Sequence, residues 1–229
     1  DKTLDDGSFP VEDICEYYNK TGKVPKTSGC SPYDFIKVFD AIHQQWPDKK
    51  ILHLAYSAVT TCSYQSAVTV AEDCNYIKSI DTKNVSTGQG AIVLRMAELL
   101  ELNPNMSLQE AAEETEKLIS RTRMCFVPSN LDYLKAGGRL SNVAYIGTKL
   151  LSILPCIEVI DGRLVATKKF RGRLENIIPK ILRRYIEDHN LERDRLWLIR
   201  TTGLSDRACK TAEQIATELG IKQICWVKP

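Results

Sequence analysis

Apolar residues fall into two rhythms along this chain, and the rhythms alternate. Short runs, KILHLAY (50–56), YIKSI (76–80), LWLIR (196–200) and QICWV (223–227), have the length and bounds of strands. Between them, apolar positions three and four apart predict helices near 11–18, from Pro32 onward, and over 64–73, 89–102, 107–121, 174–189 and 205–219. In the helix opening at Pro32 the apolar stripe is Phe35, Ile36, Val38, Phe39 and Ile42. Several ends carry their own signals. Ser31 before Pro32 is an N-cap followed by proline at the first helical position. Ser107-Leu-Gln-Glu is a capping box, and Asp161-Gly162 is a two-residue hairpin turn. Pro179 is tolerable in its helix only near the first turn.

Up to Arg121 strands alternate with helices, which argues for a parallel sheet with crossover helices. The texture then changes: RMCFVP (123–128) reads as a strand, LDYLK (131–135) as a helical turn ended by Gly137-Gly138, and CIEVIDGRLVAT (156–167) as a hairpin. A βαβ-like stretch closes the chain. The expectation is an α/β protein of two domains, 1–121 and 122–229. The first is built on a parallel sheet layered with helices, the second on a mixed sheet with helices.

At 229 residues, 43% hydrophobic and 26% charged, the chain has the composition of an ordinary globular protein with a sizeable core. A net charge of +2 gives no general reason to bind nucleic acid or an anionic membrane. No apolar run approaches a membrane span, and the first residues do not read as a signal peptide. Eight cysteines are scattered without a CxxC pair, a pattern of buried thiols in a reducing cytoplasm rather than of disulfides or zinc. With three histidines and no nucleotide loop, GxSxG or HExxH motif, the reading is of a binding protein: no catalytic residue, no metal, no cofactor.

Chemistry concentrates in hydroxyl-rich loops. KTSGCSP (26–32) precedes one helix, and SAVTTCS (57–63) lies between a strand and the next helix. Helix N-termini offer unpaired N–H groups, and added Ser and Thr hydroxyls would complete a pocket for a carboxylate or phosphate. Ordinary capping and solvation explain the same residues equally well. Two further segments are KAGGRLS (135–141), whose glycines allow Arg139 to be aimed at an anion, and the basic run KKFRGR (168–173). The latter reads either as a charged edge strand or as a docking surface for an acidic partner.

The blocks TSGCSPYDF, HLAYSAVTTCSYQSA, IDTKNVSTGQG, LDYLKAGGRLS and LPCIEVIDGRLVATKKFRGR, in that order, closely resemble the DegV family of bacterial fatty-acid-binding proteins. The resemblance implies one long-chain fatty acid with its tail buried and its carboxylate held by hydroxyls. It further implies presentation of that carboxylate to a fatty acid kinase, with at most transient membrane contact. The family's TSQPS threonine falls on Thr27, beside Ser28; the SSxLSGTY loop aligns its first serine with Ser57 and its second hydroxyl with Thr61; the GGRIS arginine falls on Arg139, on the head-group or partner side. This chain departs at Gly29 and Cys30, at Ala58 and at Cys62, where the family has glutamine, proline, serine and glycine. It also lacks the family's opening VTDS-like strand and closing HxGPG segment, so the first sheet is expected to lack a strand. A related fold, the substrate-binding domain of dihydroxyacetone kinases, supplies the alternative of a small-substrate phosphotransferase module. That chemistry requires a histidine, and His53, inside a strand, reads as a packed core residue.

Overall fold

The computed structural model describes residues 7–139 and 153–228. Its first part runs α1 (Val11–Thr21), α2 (Pro32–Gln45), β1 (Ile51–Ala55), α3 (Ser63–Ala71), β2 (Ile77–Asp81), α4 (Ser86–Leu102) and α5 (Leu108–Arg121). Strands β1 and β2 pair in parallel from Ile51 opposite Ile77 to Ala55 opposite Asp81. Helices cover both faces. Phe39 of α2 and Ala67 of α3 pack on Ile51 and Ile77. On the other side Ile92 of α4 packs with Ala112 and Ile119 of α5 on Ile80. Burial on both sides is why these strands read as near-continuous apolar runs.

The second part runs β3 (Cys125–Phe126), α6 (Asp132–Gly137), β4 (Ile153–Ile160), β5 (Arg163–Arg171), α7 (Leu174–Asp188), β6 (Arg195–Ile199), α8 (Asp206–Glu218) and β7 (Gln223–Val227). Among the described residues β3, β4 and β5 form an antiparallel sheet, while β6 and β7 form a separate parallel pair. The fold is therefore α/β with both parallel and antiparallel sheets. Asp161 and Gly162 make the β4–β5 turn with φ of 48° and 76°, the backbone that a two-residue hairpin requires. The ladder slips between Cys156 and Ile157, leaving Thr167 as an extra residue on β5. Consequently Leu164 and Ala166 face Val85 and Met124, whereas Phe170 faces Ile177 of α7. The antiparallel sheet thus serves two cores, and Pro155 to Glu158 are all buried.

Two sequence expectations need correction. Pro179 lies at the sixth residue of α7, beyond the first turn, and removes a donor to the Glu175 carbonyl. Burial of Ile177, Ile178 and Ile186 on the face of α7 offsets that loss. In α2 only Phe39 is buried, and Ile36 and Val38 are exposed, because β1 and α3 cover a narrower stripe than the apolar spacing implies. Among the described residues no helix is long and apolar enough to cross a membrane.

Candidate ligand-binding site

The carboxyl ends of β1 and β2 lie side by side, so the loops leaving them rise from one edge of the sheet. Open α/β sheets bind ligands at such edges. The β1–α3 loop turns without glycine because Thr60 closes it: its N–H and its hydroxyl both donate to the Ser57 carbonyl, at 3.0 and 2.8 Å. A side-chain hydroxyl supplies the local bond that stabilises the turn.

The β2–α4 loop forms the foundation. Asp81 accepts from the N–H groups of Ala58 (3.1 Å) and Lys83 (2.9 Å). The Ser57 N–H donates to the Asn84 carbonyl at 3.0 Å. Thr82, fully buried, donates its hydroxyl to the Ala55 carbonyl at 2.7 Å and accepts from the Asn84 N–H at 3.3 Å. Lys83 and Ser86 hold φ of 49° and 48°, left-handed conformations that cost a residue with a Cβ roughly 1–2 kcal/mol each. The surrounding hydrogen bonds keep them there.

Ser57 is buried, and its hydroxyl donates to the Gly162 carbonyl at 2.8 Å. The hairpin tip therefore rests on the hydroxyl loop. A Cβ at Gly162 would lie 2.4 Å from Ser57 Oγ.

Thr61 and Ser63 are different. Their hydroxyl oxygens are 3.0 Å apart, and either one can be the donor. Thr61 Oγ1 also accepts from the Ser63 N–H at 3.3 Å, and Ser63 Oγ accepts from the Cys30 N–H at 3.0 Å. Two hydroxyls carry two protons and share one bond. Whichever donates, one proton has no acceptor among the described residues and can go to an incoming one. The Cys30 contact also joins the first hydroxyl loop to the second, since a Cβ on Gly29 would sit 2.9 Å from Thr61 Oγ1. Thr27 and Ser28, just upstream, are exposed, and among the described residues neither hydroxyl has a partner.

A cavity of about 650 Å³ opens beside these loops, lined by residues 58–62, Gly137, Gly138, Arg139 and Arg163. Helix α6 delivers Arg139. Leu131 and Leu134 pack against the Val85–Ile157 cluster, and Tyr18 of α1 donates to Asp132 at 2.5 Å with its ring 5.2 Å from that of Tyr133. Gly138 then ends the helix at φ 65°, and Arg139 turns back to donate to the carbonyls of Gly137 and Thr60. Leu140 and Ser141 of that motif lie outside the described residues. Among the described residues neither Arg139 nor Arg163 forms an ion pair. The half-exposed Tyr56 has its phenol pushed up by burial, against the opposing pull of Arg139.

The cavity therefore combines an available hydroxyl proton with two guanidinium groups that form no ion pair among the described residues, an arrangement that suits an anion. Sequence reasoning identified Thr61 and Arg139 but missed Ser63 as the bridge between loops and Arg163 as the second cation. The one signal for Arg163 was its position directly after the Asp161-Gly162 turn. His53 is packed against Phe35 and Phe39, at ring distances of 5.3 and 5.7 Å, with Nδ1 3.2 Å from Ser79 Oγ. In the basic run, Lys168 pairs with Asp188. Among the described residues no group of three His, Cys, Asp or Glu side chains converges on a point that could hold a metal.

Comparisons with known proteins converge. A sequence model described as "Uncharacterised protein, DegV family" matches residues 1–226. The chain is 31% identical over 166 residues to a DegV domain-containing protein of Caldanaerobacter subterraneus, covering 71% of this chain and 58% of that protein. A DegV domain-containing protein of Streptococcus pyogenes is 35% identical over 166 residues, with 69% and 56% covered. The chain thus spans a little over half the length of these relatives. Among solved structures, one describing fatty acid binding of a DegV family protein from Thermus thermophilus matches with a TM-score of 0.81 at 24% identity, over 95% of this chain and 76% of that one. A DegV family protein from Eubacterium eligens, loaded with heptadecanoic acid, matches with a TM-score of 0.82 at 20% identity, over 98% and 80%. At these identities the likeness shows the fold.

Proposed function

The chain belongs to the DegV family, and from that premise we propose that it binds one long-chain fatty acid and presents its carboxylate to a fatty acid kinase. The carboxylate sits at the Thr61–Ser63 pair, with Arg139 and Arg163 supplying opposite charge on the head-group side. Thr27 and Ser28 close over it from the neighbouring loop. Ser57 contributes as the buried strut that fixes the loop. The acyl tail runs inward, toward the apolar cluster of Val85, Met124, Ile157, Leu164 and Ala166, between an N-terminal unit of residues 1–121 and a C-terminal unit of 122–229.

The observation that carries this reading is the hydroxyl proton left over by the Thr61–Ser63 pair at a cavity where Arg139 and Arg163 form no ion pair among the described residues. Affinity comes mainly from the tail, at about 0.8 kcal/mol for each methylene buried. The hydroxyls and arginines set its direction. Denaturing freshly purified protein, extracting it and analysing the extract by mass spectrometry is expected to yield a single equivalent of a long-chain fatty acid. An extract without fatty acid, together with no thermal shift on adding oleate, overturns the proposal.

A further inference from the structure

Of the eight cysteines, Cys30 and Cys62 are the exposed ones. They lie on the two hydroxyl loops, and these loops touch. A Cβ built on Gly29 would be 2.7 Å from Cys62 Sγ. Standard covalent geometry then brings the Cα of Cys30, the next residue, to within about 8 Å of that sulfur. The Cys30 N–H is also tied to Ser63 Oγ at 3.0 Å, one residue beyond Cys62. Residues 23–31 have no helix or strand, so this exposed segment can bring Cys30 to Cys62 without moving the sheet. Cys62 lines the cavity.

We infer that Cys30 and Cys62 form a peroxide-sensitive dithiol, and that their disulfide fastens the two loops across the mouth of the cavity. One thiolate attacks a peroxide oxygen; the O–O bond breaks, water leaves, and a sulfenic acid forms. The second thiol attacks that sulfur, the S–O bond breaks, and a second water leaves with its proton. In sum, two thiols and one hydrogen peroxide give one disulfide and two waters. A thiol reductant reverses the step by exchange. The consequence for the mouth rests on the proposed function; formation of the bond does not.

Cys125 and Cys156 supply an internal control. They adjoin on neighbouring strands but sit in the apolar cluster with Phe170 and Ile177, and Cys156 is 1% exposed. Their hydrogen bond pushes the Cys125 thiol up and the Cys156 thiol down, so it is burial, which denies peroxide access to either sulfur, that makes the pair the control.

The test is treatment of the folded chain with hydrogen peroxide, followed by peptide mapping without reduction. The expected result is a crosslinked 30–62 peptide, about 2 Da lighter than the sum of its parts, reversed by dithiothreitol and absent from C30S and C62S. Peroxide-treated protein in which both thiols still react with maleimide, or in which they pair elsewhere, overturns the inference. A second reading follows release of bound oleate before and after oxidation. Slower release, restored by dithiothreitol, supports the closing role, and an unchanged rate removes it. If the crosslink forms but no fatty acid binds to reduced protein, the proposed function fails while the dithiol stands.

Discussion

Residues 57–62, between β1 and α3, and residues 82–85, between β2 and α4, rise side by side from one sheet edge, and both segments are rich in hydroxyl or amide groups. In the second, Thr82 and Asn84 are buried, the Thr82 hydroxyl and the Asn84 Nδ2 donate to backbone carbonyls, and Lys83 is held in a left-handed conformation. In the first, burial stops at Ser57, and further along Thr61 and the adjoining Ser63 keep a proton in reserve. Similar residue types therefore do opposite work. Where both partners of a hydroxyl are backbone groups of the fold, it stiffens the frame. Where its partner is another hydroxyl, it remains able to respond to a ligand. A list of serines and threonines cannot separate the two; the identity of each partner does.

Substitution can break or sharpen that contrast. The largest effect is expected from Gly162→Ala. Its φ of 76° disfavours a Cβ, which would also meet Ser57 Oγ at 2.4 Å. Strain and overpacking together cost about 3 kcal/mol, lowering the melting temperature by roughly 6–12 °C for a chain of this size. Next come Ser57→Ala and Thr61→Val as a pair. Ser57→Ala removes the buried donor to the Gly162 carbonyl and is expected to cost about 1–2 kcal/mol of stability in urea titration. Thr61→Val is expected to change stability by no more than about 0.5 kcal/mol, yet to weaken fatty acid retention roughly tenfold or more, since a hydrogen bond to a carboxylate is lost. Equal effects of the two on stability would erase the distinction between frame and site.

The smallest effect concerns pH. Burial holds the His53 imidazole below its ordinary value of 6.5. As pH falls below 6.5, the unfolded chain takes up a proton that the folded chain resists, so stability declines in that window. Above it both states are neutral and the contribution vanishes. His53→Gln is expected to flatten this decline, measured as the difference in urea midpoint between about pH 7.5 and about pH 5.

Features that depend on neighbours in sequence were legible. Ser31 and Ser107 both make full capping boxes, Asp161-Gly162 makes its turn, and the alternation of strands and helices gives the parallel pairs. Features that depend on distant partners were not. Ser57 is fixed by a carbonyl 105 positions away. Ile36 and Val38 match the helical period but find no cover. Arg163 reaches the cavity only because the hairpin tip lands on the β1–α3 loop. Thr61 and Arg139 stood out in a hydroxyl-rich loop and a glycine-flanked segment, and their resemblance to family motifs gave them roles, but their proximity through Thr60 emerges only in three dimensions.

The slip at Cys156/Ile157 makes β5 change allegiance halfway along its length. Its first half answers to the compartment beside the cavity, its second to α7. Excising Thr167 would restore a regular ladder and swap the audience of every side chain on one half. A one-codon deletion there is therefore a harsher change than most substitutions nearby, and the strand tolerates variation in spelling far better than variation in length.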